Sequence, residues 1–358
     1  MRPALRRERS PARHAAALLL AALAAGCATP AADPYTGETV PVLLTVPSAA
    51  GVRDLRAPYR EAVCRRLPPG GEACADTLLQ LSGEAATVAP ARPRDDFAQR
   101  YRIAFVPGFL SECFDGLARP FADSERALRE RGFTVDYFRV GGRATTADNA
   151  RRLAEHFAAL DADPRPLIVF AYSKGLPEVL AFAAAYPQVA RRIAAVVGVA
   201  GAVNGSPLAD ELASPYRTWL ASFPLPGCAS GTGEEMHDLR RDVRLAWWRD
   251  HGHDPMPPVF SLVATPRPDR VSPASMGTYR WLAKIDPRND GKLLWTDQIA
   301  PGGFLLGYAN ADHWAIAIPV AEELPALSAF FRDQVPRPVL VEAAIEVVAD
   351  TLATMPPR

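Results

Sequence analysis

A serine in a short motif carries the strongest chemical signal in this sequence. Residues 171–175 read Ala-Tyr-Ser-Lys-Gly, which is the pattern Gly-x-Ser-x-Gly with alanine in the first position. Small residues on both sides allow a sharp turn from a strand into a helix, and such a turn exposes the hydroxyl at a sheet edge. The motif therefore predicts that Ser173 is a nucleophile. The alternative is a serine that only makes a structural turn.

A serine hydroxyl attacks at neutral pH only if a base takes its proton, and a histidine held by a carboxylate is the usual base. When the serine lies in a Gly-x-Ser-x-Gly motif, the acid and then the histidine follow it in the chain. The other histidines precede Ser173 or lie in a proline- and tryptophan-rich stretch well before the chain's end: His14, His156, His237, His251 and His253. His313 is therefore the predicted base, and a structural histidine packed against Trp314 is the alternative.

Short apolar runs alternate with helical patterns through the middle of the chain. Strands are predicted at residues 101–106, 133–140, 166–171, 193–200, 259–264 and 304–308, and helices at residues 121–131, 145–160 and 176–186. Such alternation favours an α/β fold with a mostly parallel sheet and helices on both faces. Upstream, a strand at residues 40–46 and a helix at residues 52–66 are predicted.

The region from about residue 101 to residue 320 resembles the α/β-hydrolase fold, in particular its bacterial lipase-like and esterase-like members. The serine motif carries this resemblance together with residues 105–110, Phe-Val-Pro-Gly-Phe-Leu, and residues 307–314, Gly-Tyr-Ala-Asn-Ala-Asp-His-Trp. Pro107 stands where the family usually has histidine. The resemblance implies that the backbone N–H groups of Phe109 and Lys174 form an oxyanion hole.

Two aspartates are the main candidates for the acid. Asp290 lies in an Asn-Asp-Gly sequence that resembles the loop carrying the acid in bacterial lipases, and one more strand fits between it and His313. Asp269 follows the strand at residues 259–264, where many α/β-hydrolases keep their carboxylate. The weaker candidates are Asp286, Asp297 and Asp312. Asp290 is the predicted acid, although an Asp-Gly pair also simply favours a turn.

The resemblance implies a serine esterase or lipase that hydrolyses a small-molecule or lipid ester through an acyl-enzyme, with no cofactor and no metal. It also places a cap insertion at about residues 207–257, with the α/β-hydrolase domain at residues 101–330 and a C-terminal helix at residues 331–358. An amidase, peptidase or acyltransferase with the same triad remains an alternative, as does a non-catalytic envelope protein of this fold.

The cap sequence leaves the substrate open. Its large aromatic residues are Trp219, Phe223, Trp247 and Trp248, and Leu239, Val243 and Ala246 share helical spacing with Trp247. These side chains either line an acyl site beneath a lid or pack the cap onto the core, and packing is the favoured interpretation for most of them.

The N-terminus predicts export. Arginines precede an apolar run at residues 15–25, which is too short to span a bilayer and is typical of a signal peptide at residues 1–26. The run ends in Leu-Ala-Ala-Gly-Cys, which resembles a bacterial lipobox and implies lipidation of Cys27, with Ala28 implying the outer membrane. Residues 27–100 would then form a tether and an accessory segment. A periplasmic or secreted enzyme with a plain signal peptide is the alternative.

Composition narrows the partners and the redox state. Lysine and arginine together number 40 among 358 residues, as do aspartate and glutamate together. This balance of charge does not favour nucleic acid as a partner. We expect a monomer. Four cysteines follow Cys27, an even number that predicts disulfides in an oxidising compartment. Of three possible pairings, one joins Cys64 to Cys74 and Cys113 to Cys228. The His-Gly-His-Asp sequence at residues 251–254 could hold a metal, but two histidines and one carboxylate in a loop are more often solvated.

Overall fold

A computed structural model describes residues 33–35, 40–68, 74–85, 96–114, 116, 118–160, 163–225 and 227–356. The predicted signal peptide and Cys27 lie outside the described residues. From Pro34 onward the chain forms one compact unit. No helix among the described residues is long and apolar enough to cross a membrane.

A parallel sheet of seven strands forms the centre of the described chain, in the order β1-β7-β6-β5-β4-β2-β3. The strands are β1 (Arg53–Asp54), β2 (Arg102–Val106), β3 (Val135–Tyr137), β4 (Leu167–Tyr172), β5 (Ile193–Val199), β6 (Val259–Ala264) and β7 (Phe304–Ala309). Every residue of β2, β4, β6 and β7 is buried. Because both faces of a parallel sheet are covered, its strands read as continuous apolar runs. The predicted mostly parallel sheet is confirmed.

Eight helices of seven or more residues surround the sheet in the described chain. They are α1 (Arg56–Arg66), α2 (Ala122–Glu130), α3 (Thr146–Ala158), α4 (Gly175–Ala185), α5 (Pro207–Pro215), α6 (Arg241–His251), α7 (Met276–Leu282) and α8 (Arg337–Thr354). Shorter helical turns lie at Val42–Thr45, Pro47–Ala50, Cys74–Thr77, Phe97–Arg100, Ser111–Phe114, Pro187–Ala190, Glu234–His237, Pro268–Arg270, Pro273–Ser275, Trp295–Gln298, Val320–Glu323 and Pro325–Phe330, with one π-helical turn at Tyr216–Leu220.

The two faces of the sheet have separate apolar cores. Helices α1, α2 and α8 pack on one face through side chains such as Val63, Leu128 and Ile345. Helices α3 and α4 pack on the other face, where Leu153 and Val179 are fully buried. Fully burying a side chain of this size contributes about 1.5–3 kcal/mol. The two layers hold the sheet edge that carries the serine motif in a fixed position.

The predicted elements agree with the observed ones in the core and differ near the N-terminus. The predicted strand at residues 40–46 is wrong, because this stretch contains the helical turn Val42–Thr45 between Pro41 and Pro47. The strand of this region is instead β1, which pairs with β7, so helix α1 begins only at Arg56. Residues 53–66 of the predicted accessory segment thus add an edge strand and a helix to the sheet.

The segment between β5 and β6 is the largest insertion in the sheet region. It contains α5, the π-helical turn, Glu234–His237 and α6. A disulfide joins Cys228 of this insertion to Cys113, which follows β2, with 4.6 Å between the Cα atoms. A second disulfide joins Cys64 to Cys74, with 5.2 Å between the Cα atoms. The insertion is therefore tied covalently to the loop that contains Phe109.

Candidate active site

Ser173 lies in a strained turn between β4 and α4. Its φ angle is +53°, in the left-handed region that a residue with a side chain rarely adopts. Two glycines allow the chains to approach this closely. A Cβ atom on Gly108 would lie 2.7 Å from the Ser173 Cβ, and one on Gly175 would lie 2.5 Å from the Pro107 carbonyl oxygen. Such strain persists only where the surrounding structure enforces it, and it points the Ser173 hydroxyl out of the sheet edge.

A chain of two hydrogen bonds joins Ser173 to His313 and Asp290. The His313 Nε2 atom lies 3.0 Å from the Ser173 Oγ, and the His313 Nδ1 atom lies 2.7 Å from the Asp290 Oδ2. All three residues are buried, and Asp290 is fully so. The structure thus brings together the predicted nucleophile, base and acid. Their catalytic role stays a prediction.

The Asn-Asp-Gly loop holds the Asp290 carboxylate rigidly. Its Oδ1 accepts hydrogen bonds from the backbone N–H groups of Lys292 at 2.8 Å and Leu293 at 2.7 Å. The Asp290 carbonyl oxygen also accepts the His313 N–H at 2.9 Å. Gly291 has a φ of +89°, so the loop is a true turn as well as the support of the acid. The Asn-Asp-Gly residues therefore form a turn and also hold the predicted acid.

The other candidate aspartates have different surroundings. Asp269 is exposed on the turn Pro268–Arg270. Asp312 accepts the backbone N–H groups of Ser272, Trp314 and Ala315, and burial raises its pKa. Asp286 accepts the Trp295 indole N–H, and Asp297 pairs with Arg241. In the described chain, Asp290 alone of these residues hydrogen-bonds the imidazole.

Tyr172 holds His313 in place through a hydrogen bond and a ring contact. Its hydroxyl donates to the His313 carbonyl oxygen at 2.8 Å, and the two rings lie 5.1 Å apart. Burial holds the pKa of Tyr172 well above its ordinary value, so the phenol stays protonated and can donate. Trp314 packs against Phe331 instead of the imidazole.

Two backbone N–H groups adjoin the serine. Phe109 follows Gly108, and Lys174 precedes the first residue of α4. Neither N–H donates a hydrogen bond within the described residues. The following residue, Leu110, has a φ of +62° and donates its N–H to the Gly142 carbonyl oxygen at 2.8 Å. Two unused donors beside a buried hydroxyl are the arrangement that an oxyanion requires.

A buried polar cluster lies behind these donors. The Lys174 ammonium pairs with Glu178 and donates to the Ala144 carbonyl oxygen at 3.0 Å. The Asn149 amide donates to Glu178 at 2.6 Å and to the Gly141 carbonyl oxygen at 2.9 Å. Burial raises the pKa of Glu178, and the charge of Lys174 opposes this effect. The cluster fastens the nucleophile turn to the loop at residues 141–144, which holds Leu110.

An apolar cavity of about 460 Å³ opens beside Ser173 and His313. The other lining residues belong to the segment after β2, to β4, to the insertion between β5 and β6, to α7, to the loop around Asp290 and to the segment between His313 and α8. They are Phe109, Leu110, Ser111, Ala118, Pro120, Tyr172, Ala202, Ser206, Leu208, Ala209, Leu212, Met236, Leu239, Thr278, Lys292, Leu293, Trp314, Ile318, Val320, Leu324, Leu327 and Phe331. Such a cavity suits an apolar ligand that reacts at the serine.

Most of the cap residues that the sequence singles out do not line this cavity. Of the predicted cap residues, only Leu239 lines it. Trp219 and Phe223 are 76% and 56% exposed, and Trp247 and Trp248 pack against the core on the α3–α4 face. Trp247 and Trp248 therefore pack the insertion onto the core, which is the interpretation that the sequence favours for most of these residues. Contacts over long sequence distances create the cavity, and helical spacing carries no signal for them.

The His-Gly-His-Asp stretch forms a local contact. The His251 Nδ1 atom lies 2.8 Å from the Asp254 carboxylate, and both side chains are about 40% exposed. No three histidine, cysteine, aspartate or glutamate side chains of the described chain converge in a way that could hold a metal ion.

Comparison with known proteins places this site in a family. No family model matches the chain, and no curated protein matches it. Among solved structures, the metagenomic carboxyl esterase MGS0156 is 33% identical, with a TM-score of 0.78 over 87% of this chain and 96% of the esterase. The mature lipase BlEst2 of Bacillus licheniformis is 19% identical, with a TM-score of 0.50 over 63% of this chain and 90% of the lipase, which shows the shared fold alone.

The identity to the metagenomic esterase extends over nearly the whole of that protein, and the parallel sheet and its helices match in arrangement. The chain therefore has the α/β-hydrolase fold and belongs to the carboxyl esterase family that the metagenomic enzyme represents.

Proposed function

We propose that this protein is a serine hydrolase that cleaves carboxylic esters through an acyl-enzyme on Ser173. The observation that carries the proposal is the hydrogen-bond chain from Ser173 through His313 to Asp290, at the mouth of an apolar cavity. Membership in a carboxyl esterase family supports ester hydrolysis as the reaction.

In the first half of the reaction, the Ser173 Oγ attacks the ester carbonyl carbon while the His313 Nε2 takes the hydroxyl proton. Asp290 accepts the Nδ1–H of His313, which fixes the tautomer and stabilises the imidazolium. The carbonyl oxygen becomes an oxyanion, and the N–H groups of Phe109 and Lys174 donate to it. Each such donor stabilises the transition state by about 3 kcal/mol.

In the second half, the imidazolium returns its proton to the alcohol oxygen as the carbon–oxygen bond breaks. A water molecule then attacks the acyl-enzyme with His313 again as the base, and the acid is released. The apolar cavity beside Ser173 favours an ester with an apolar acyl group, because burial of apolar surface contributes about 25 cal/mol per Å².

Labelling with a fluorophosphonate tests this proposal. The reagent requires an activated serine, so the wild-type protein should gain one adduct on the peptide that contains Ser173, and Ser173→Ala should gain none. Hydrolysis of a short-chain ester should disappear in the same variant. A folded wild-type protein that gains no adduct on Ser173 would show that the site is not a serine hydrolase.

We propose further that the protein is a lipoprotein of the cell envelope, anchored through acylated Cys27 and placed in the outer membrane. The support is the sequence of residues 1–28, with its basic start, apolar run and lipobox-like Leu-Ala-Ala-Gly-Cys. Two or more acyl chains are enough for stable anchoring.

Detergent partitioning tests the anchor. Wild-type protein from membranes should enter the detergent phase, and Cys27→Ser should fail to mature to the lipidated form. Recovery of soluble wild-type protein with unmodified Cys27 would remove the anchor and leave a periplasmic or secreted enzyme.

A further inference from the structure

A lysine lines the apolar cavity, and its ammonium group has no partner among the described residues. Lys292 is the only lysine, arginine, aspartate or glutamate of the described chain that lines this cavity. Lys292 is partly buried, and no described residue makes a hydrogen bond or an ion pair with its ammonium group. An ammonium in apolar surroundings is unfavourable unless a counter-charge meets it.

The backbone of Lys292 is held on both sides. Its N–H donates to the Asp290 carboxylate at 2.8 Å, and its carbonyl oxygen accepts the Ser206 hydroxyl at 2.6 Å. The residue follows the acid by two positions, in the loop that also places Leu293 in the cavity wall. The backbone from which the Lys292 side chain extends is therefore fixed next to the acid.

The nearest carboxylates do not supply the missing partner. Asp290 and Asp312 both attract the Lys292 charge, but desolvation outweighs them and lowers the lysine pKa. The oxygens of Asp290 already serve two backbone N–H groups and His313. Those of Asp312 serve three backbone N–H groups. Neither carboxylate forms a hydrogen bond or an ion pair with the Lys292 ammonium.

We propose that the Lys292 ammonium binds an anionic group of the substrate, so that the preferred substrate is an ester with an apolar segment and a carboxylate. This inference rests on the proposed ester hydrolysis and names the substrate class of the same site. The ester carbonyl lies at Ser173, the apolar segment fills the cavity, and the carboxylate meets Lys292 as its counter-charge. A charge-assisted hydrogen bond of this kind is about twice as strong as a neutral one.

Two matched pairs of esters test the proposal in the mature protein. The first pair is the p-nitrophenyl ester of hexanoic acid and the mono-p-nitrophenyl ester of adipic acid, which differ in a terminal carboxylate on the acyl chain. The second pair is the hexanoyl ester of 4-hydroxybenzoate and that of its methyl ester, which differ in a carboxylate on the alcohol. The readout is the ratio of kcat/KM for the anionic ester to kcat/KM for the neutral ester.

In Lys292→Met and Lys292→Gln this ratio should fall by about 10- to 100-fold in at least one pair, as expected for a lost hydrogen bond to a charged group. Lys292→Arg, which keeps the charge, should retain most of it. The pair that responds shows which side of the ester carries the carboxylate. Fluorophosphonate labelling of each variant shows that Ser173 is still activated.

An unchanged ratio in both pairs, for Lys292→Met and for Lys292→Gln, would overturn the proposal. That result differs from failure of ester hydrolysis itself, in which the wild-type protein neither hydrolyses the neutral esters nor gains an adduct on Ser173.

Discussion

The nucleophile side and the acid side of the site are built in different ways. On the nucleophile side, regular elements β4 and α4 hold Ser173, and the neighbouring Lys174 is buried and paired with Glu178. On the acid side, irregular loops hold Asp290 and His313, and the neighbouring Lys292 lines the cavity with no partner for its ammonium among the described residues. One lysine charge is neutralised within the protein, whereas the other is left for a ligand. The charge of Lys174 therefore serves the structure of the turn, and we propose that the charge of Lys292 selects the substrate.

The largest effect is expected on the acid side, from Asp290→Asn. The amide keeps the shape of the carboxylate but supplies the wrong partner for the His313 Nδ1–H, so kcat should fall by up to about 10⁴-fold. The measurement is kcat on a short-chain ester, with thermal unfolding as the check that the fold is intact. Near wild-type turnover in this variant would mean that the Asn-Asp-Gly loop is only a turn.

On the nucleophile side, Gly108→Ala should reduce kcat by about 10²- to 10³-fold, the range seen when one oxyanion donor is lost. The added Cβ would lie 2.7 Å from the Ser173 Cβ and 2.9 Å from the Tyr172 carbonyl oxygen, so the Phe109 N–H must move. KM should change much less than kcat. Gly116→Ala is the matched control, because a Cβ there meets nothing within 4 Å. Equal kcat in the two variants would remove Phe109 from the oxyanion hole.

The Lys174–Glu178 pair should affect stability first. Glu178→Gln leaves the buried Lys174 ammonium without its counter-charge, which should lower the free energy of unfolding by about 3 kcal/mol. Replacing both residues, as Lys174→Met with Glu178→Leu, should cost less than the single change. Denaturant titration measures both values. A single variant as stable as the wild type would contradict the contrast between the two lysines.

The smallest effect is expected from Asp269→Asn. This side chain is exposed and makes no described contact with His313, so kcat should change by less than about threefold. Collapse of turnover here, with survival in Asp290→Asn, would reverse the assignment of the acid.

Much of the core could be predicted from the sequence, because buried parallel strands leave continuous apolar runs bounded by turn residues. β6 was predicted with its observed bounds, and the start and end of α3 agree within two residues, since the Thr145 side chain accepts the Asp148 N–H as an N-cap. β1 was missed because its two residues, Arg53 and Asp54, carry no apolar pattern and their pairing with β7 alone defines the strand.

Part of the site could likewise be predicted from the sequence, and part could not. The motif around Ser173 and the chain order predicted the nucleophile and the base, and the resemblance of the Asn-Asp-Gly loop to that of bacterial lipases predicted the acid. The cavity wall was not predictable, because Leu212, Met236 and Phe331 meet only through the tertiary fold. Lys292 likewise joins this wall only through the tertiary fold.

Acylation of Ser173 during turnover is tested most directly by mass spectrometry of protein quenched within milliseconds of mixing with p-nitrophenyl hexanoate. We predict a hexanoyl group on the peptide that contains Ser173, formed in step with a burst of p-nitrophenol and absent from Ser173→Ala. Turnover without any acylated Ser173 peptide, retained in Ser173→Ala, would contradict the account.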